Sequence, residues 1–255
     1  MGCCGAKMQK NQGNRKDRER NREAGNVILW ILVAIILFGA LNFIFSKGFR
    51  SGATTISDEK ASLIASEIFE YTRTVKQTVH LLQINGCRDT EISFDQTVVA
   101  GYSNPNSPAD ETCNVFAPAG GGLTWKDPPQ NASNYANFEM IYNARIQEVG
   151  TDPDPDGTDL IMVLPELNED VCKKINEKVG IDLVSGNVPP DSGDIVDVSW
   201  PGRFVGVYGP RTNSVNGPSN NCSGADNYFC GQATACFHEA GGGQYFVFYH
   251  VLIAR

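Results

Sequence analysis

Apolar positions along this chain fall into three regimes. From Val27 to Phe45, nineteen residues carry no charge, and Asn42 is their only strongly polar member. At about 1.5 Å per residue such a run makes a helix of roughly 28 Å, close to the hydrocarbon thickness of a bilayer. Further on, Ile64, Ile68, Tyr71, Val75, Val79 and Leu82 recur in steps of four and three, the spacing of one helical face. Beyond Cys87 the apolar residues gather in short β-branched and aromatic runs separated by Gly, Pro and Asn. The predicted fold class is α+β: an N-terminal transmembrane helix and an amphipathic helix, packed on a mostly antiparallel β-sheet.

The pattern also sets the element boundaries. Residues 46–55, with two glycines, predict a break after the bar. Thr55 or Ser57 can then cap the second helix, with Asp58 and Glu59 in its first turn and Asn85-Gly86 as its stop. Residues 90–102 alternate and predict a strand or hairpin, and 103–113 a loop. Residues 114–125 and 236–255 share an Ala-Gly-Gly-Gly unit with an aromatic before it and a β-prone run after it, which predicts two strand–turn–strand elements. Residues 136–150 and 158–167 predict strands. Between Asn168, a cap, and Gly180, a stop, a short helix is predicted with Val171, Ile175 and Val179 inward. Residues 185–225 predict a loop-rich region with short strands at 194–200 and 203–209. The apolar end, residues 245–254, predicts a central or well-covered strand.

Charge turns this pattern into a topology. The 255 residues carry a net charge of −8, but residues 1–26 hold seven Lys/Arg against three Asp/Glu, and the bar holds none. The remainder therefore stands at −12. A basic head, an apolar bar and an acidic body predict residues 1–25 as a disordered cytoplasmic leader, 26–46 as the transmembrane helix, 47–84 as a juxtamembrane break and amphipathic helix, and 85–255 as an exported β-rich domain. The expected location is the inner, cytoplasmic membrane, with the N-terminus in the cytoplasm and the C-terminal domain periplasmic or at the cell surface. The bar is longer than the usual apolar core of a cleavable signal and no clear A-x-A pattern follows it, so ordinary signal cleavage is the weaker reading. So acidic a body repels phosphate backbones, which argues against a nucleic-acid partner.

Cysteine usage fits export. Cys3 and Cys4 precede the bar; Cys87, Cys113, Cys172, Cys222, Cys230 and Cys236 follow it, an even set suited to three disulfides. Cys87 and Cys113 flank one compact segment and form the preferred pair. The other four allow three pairings. Their spacing fits no zinc pattern.

Candidate chemistry is sparse. Asp152, Asp154, Asp156 and Asp159, with Gly157, match the front of a calcium loop, where alternating carboxylates converge on one hard cation. Val163 stands where the loop's bidentate glutamate belongs, and Pro153 and Pro155 stiffen the run, so a solvated acidic loop is the other reading; calcium is the one cofactor considered. No G-x-S-x-G, P-loop or H-E-x-x-H pattern occurs. His80, His238 and His250 are scattered, His250 as a core histidine and His238 beside Glu239 as a hydrogen-bonded pair. The chain is read as a non-enzyme with no catalytic residues. Asn131 and Asn221 fit the glycosylation pattern by its three residues alone.

The basic leader, Gly25-Asn26 at the leader–bar junction, the apolar helix from Val27, the amphipathic extension through Leu82 and a β-rich body with cysteines near its C-terminus resemble the type IV pilin and pseudopilin family. The resemblance implies a pilin-like fold and a structural role in a surface filament or secretion pseudopilus, with the body exposed for adhesion or assembly contacts. It implies processing by a prepilin peptidase between Gly25 and Asn26, and self-assembly or contact with other pilin-like subunits beside the membrane itself. One position departs from the family. The fifth residue after that cut is Trp30, where family members carry a glutamate that neutralises an adjoining subunit's N-terminus. The alternative is an uncleaved single-pass anchor presenting an extracytoplasmic binding domain; a membrane-tethered enzyme ranks below both.

Overall fold

The computed structural model describes residues 16–150, 157–191, 202–209, 213–215, 222, 227–240 and 245–255; in the first part of α1 the side chains described are those of residues 29–37. Helix α1 spans Lys16–Ile84. The chain divides into two compact units, one ending at Ser57 and the other covering Asp58–Arg255. Two expectations change here. Residues 16–25, expected to be disordered, are helical, and so is the expected break at 46–55. Gly48 and Gly52 each cost a helix only about 1 kcal/mol, and no proline interrupts the run. Among the described residues no helix is long and apolar enough to cross a membrane.

In the second unit, the predicted stripe is the buried face of α1. Ile68, Val75 and Val79 are fully buried, with Ile64, Tyr71 and Leu82 nearly so. Phe69 meets Phe248 edge-on at 6.2 Å, and Tyr71 meets Phe138 at 5.4 Å. The buried Thr72 hydroxyl donates back to the Ile68 carbonyl, so a polar side chain fits that face without an unmet donor. The helix stops where Gly86 takes φ 103°, a conformation open to glycine, and the Cys87 amide donates to the Leu82 carbonyl.

The sheet has six strands: β1 (Glu139–Ile146), β2 (Asp159–Leu167), β3 (Pro190–Asp191), β4 (Asn213–Val215), β5 (Thr234–Glu239) and β6 (Phe246–Ile253). Their order is β3-β5-β6-β2-β1-β4. The successive pairs β5–β6, β6–β2 and β2–β1 are antiparallel, while the short edges pair in parallel, β3 with β5 and β4 with β1. The fold is α+β with a mixed sheet. The apolar end forms β6, a central strand, as its composition predicts. Alternate residues divide between two cores. Met140, Met162, Leu164, Phe248 and Leu252 pack toward α1. Ile141, Ile161, Val163, Val247 and Val251 pack with Val215 and Phe229 on the other side. Helix α2 (Glu169–Val179) follows β2. The Asn168 side chain accepts from the Asp170 amide at its start, and Gly180 ends it at φ 79°.

Three predicted strand regions differ. Residues 90–102 form a 3-10 turn at Asp89–Glu91 and then a loop, whose one bridge is Ser93 to Asn114. Their alternation reflects Ile92, Phe94 and Tyr102 plugging the core. Side-chain amides take the place of a ladder: Asn104 donates to the Thr90 and Ile92 carbonyls, and Asn114 to the Asp95 carbonyl. Residues 114–125 form a turn without strands. A Cβ on Gly121 would stand 2.5 Å from the Val115 carbonyl oxygen, so the glycine there answers a close backbone approach. Residues 203–209 contribute only a bridge, Arg203 to Ile141; residues 194–200 lie outside the described set.

Candidate functional site: an exposed apolar helix and a disulfide-bonded body

Among the described residues, the longest exposed apolar stretch is Leu29–Leu37, in the middle of the bar. Every side chain from Leu29 to Leu37 is exposed, with Trp30 at 68% and Ile36 at 65%. Nine consecutive residues make two and a half helical turns, so apolar groups face outward on all sides of the helix. A helix apolar all round requires an apolar surrounding. Gly25 and Asn26, the expected processing pair, lie within α1.

In the body, all six cysteines pair. Cys87–Cys113 forms as expected, and the remaining choice resolves to Cys172–Cys236 and Cys222–Cys230. Cys172 lies on α2 and Cys236 on β5, both fully buried. The Asn176 side chain, one turn further along α2, clasps the Cys236 backbone with both amide groups, at 2.7 and 2.9 Å. The disulfide and this clasp fix α2 against the sheet twice over.

Of the four aspartates considered for calcium, Asp152, Asp154 and Asp156 lie outside the described residues. Asp159 serves the backbone. It is buried at the start of β2, where its two oxygens accept the Ile146 amide at 2.8 Å and the Arg255 amide at 3.0 Å. Burial pushes its carboxyl up to about 6 against the pull of those amides. Among the described residues no three metal-ligating side chains come together.

The histidines do not converge. His238 and Glu239 are strand neighbours and so point to opposite faces; the His238 ring packs against Phe246 at 5.3 Å instead. His250 is a core histidine, as its apolar strand predicts, with Nδ1 2.5 Å from the Thr234 hydroxyl. Asn131 is exposed at φ 66° in a turn, and Ser133 of the same pattern donates to the Pro165 carbonyl. Asn221 lies outside the described residues.

One buried cluster had no sequence signal. Glu139, fully buried on β1, accepts both Nε and Nη2 of Arg203 at 2.9 and 2.8 Å, and also the Tyr102 hydroxyl. Arg203 donates further to the Ala100 carbonyl at 2.6 Å. The cluster ties residues 100–102 and 203 to the sheet. The contact between Glu139 and Arg203 is set by topology, 64 residues apart in sequence.

Comparison with protein-family models, with curated proteins and with solved structures finds no match to this chain.

Proposed function

We propose that this chain is a membrane-anchored, pilin-like or pseudopilin-like structural subunit of a bacterial surface filament or secretion pseudopilus. The observation that carries the reading is the uniformly exposed apolar segment Leu29–Leu37 of α1, in a chain whose acidic body is closed by three disulfides. The segment lies in the middle of the uncharged Val27–Phe45 run, whose sequence length suits a bilayer. Lipid satisfies such a surface, and so does a bundle of identical helices. The seven bases before the run favour a cytoplasmic N-terminus, and disulfides belong to the oxidising side. The body would then serve adhesion or assembly contacts.

Trp30 favours a second reading, an uncleaved anchor that holds a binding domain outside the membrane. A cut after Gly25 would create an ammonium group in an apolar bundle with no carboxylate at the fifth residue to meet it, a costly arrangement. Mass spectrometry of the N-terminal peptide from membrane-extracted protein separates the two. A mature start at Asn26 supports the subunit; an intact chain from Met1 supports the anchor and overturns the pilin reading.

A further inference from the structure

His250 stands in the middle of β6, 6% exposed, on the face that carries Phe248 and Leu252 toward α1. Its Nδ1 meets Thr234 of β5, and its Nε2 has no hydrogen-bond partner. The register neighbour on β2 is Met162, which is neutral. The charged groups that act on the ring are both cations of α1, Lys76 first and Arg73 second. Lys76 is only partly exposed, and burial lowers its own proton affinity. Among the described ion pairs neither Lys76 nor Arg73 has a carboxylate partner. Arg73 lies over the Phe69 ring and lines a cavity of about 500 Å³ with Glu70 and with Lys178 of α2. The fold thus keeps neutral a buried imidazole on the α1-facing side of β6, and two cations of α1, the partly buried Lys76 and the exposed Arg73, oppose its protonation.

We propose that His250 makes the seam between α1 and β6 an acid-sensitive latch: protonation of this buried ring, whose Nε2 has no acceptor, releases the Ile64–Leu82 stretch of α1 from the sheet. An imidazolium at this position would be buried, would present an Nε2–H with no acceptor, and would stand beside two like charges. Desolvation and repulsion act in the same direction, and they hold the docked ring's proton affinity down to about 3 from an ordinary 6.5. Once α1 lifts, the ring is solvated and titrates normally. The docked state therefore binds fewer protons between those values. The latch is fully closed above about pH 6.5, and its docked-to-released ratio falls by up to about tenfold for each unit of pH below that, until about pH 3.

The test is amide hydrogen exchange of the full chain in detergent micelles from pH 7.5 to 4, corrected for intrinsic exchange rates. The expected result is that residues 61–82 lose protection with acid ahead of β2 and β6, approaching tenfold per unit below pH 6. His250→Gln, which cannot gain the charge, should hold that protection constant. Lys76→Met, which removes one repelling cation, should make the loss shallower and raise the imidazole's titration point followed by NMR. Identical acid profiles for the wild type and His250→Gln would overturn the proposal. Should His250→Gln fail to fold, a wild-type ring titrating near 6.5 and unmoved in Lys76→Met would overturn it equally.

Discussion

Two buried carboxylates show how single residues hold this body together. Glu139 is a charge made tolerable by a bidentate arginine, so removing the arginine strands it. Arg203→Met should cost about 3–5 kcal/mol in urea unfolding, as breakage of a buried pair does, whereas Glu139→Gln, which leaves no buried charge behind, should cost less. Asp159 joins two amides distant in sequence, and Asp159→Ala leaves both without an acceptor, at a cost of about 2–4 kcal/mol. Its titration adds a pH signature. Because the folded carboxyl sits near 6, above the unfolded value of about 3.9, its contribution is complete below pH 4 and is lost as pH rises through 6. Asp159→Asn should therefore gain on the wild type by about 2 kcal/mol between pH 4 and 7, measured by urea midpoints. That slope is opposite in sign to the one expected of His250, so the two variants report separately. Neither partnership was legible in the sequence, because polar contacts between residues far apart follow from topology and leave no periodic trace.

Periodicity read the elements well where burial is one-sided or complete. The stripe on α1, the two long central strands, the C-terminal strand and both caps of α2 stand where the pattern puts them. It failed at residues 90–102 and 114–125, where alternating apolar residues are plugs under a loop rather than rungs of a ladder, and hydrogen bonding from Asn104 and Asn114 decided the outcome. The buried and exposed faces of α1 should contrast sharply. Ile68→Ala, on the buried face, should lower stability by about 2–5 kcal/mol. Leu63→Ala, 60% exposed on the same helix, should stay within about 0.5 kcal/mol. Thermal or urea unfolding of the pair checks both, and equal costs would mean that the stripe is not what docks the helix.

For the whole molecule, the proposed function assigns the disulfides and the apolar bar to two different environments. The bridges close sequence separations of 64, 26 and 8 residues. Loop-closure entropy then ranks their contributions at roughly 4, 3.5 and 2.5 kcal/mol in that order. Removing Cys172–Cys236 by paired serine substitutions should destabilise most, since it also opens a buried contact beside the Asn176 clasp. The even cysteine count and the Cys87–Cys113 pair were legible in sequence; the other pairing needed the packing of α2 on β5. The proposal stands on an uncharged run in lipid and six later cysteines oxidised on the far side. The most direct test is the intact mass of the chain recovered from carbonate-washed membranes. The expected result is membrane-retained protein six hydrogens lighter than the fully reduced chain. Protein found in the carbonate wash, with the mass of a chain whose eight cysteines are all thiols, would contradict it.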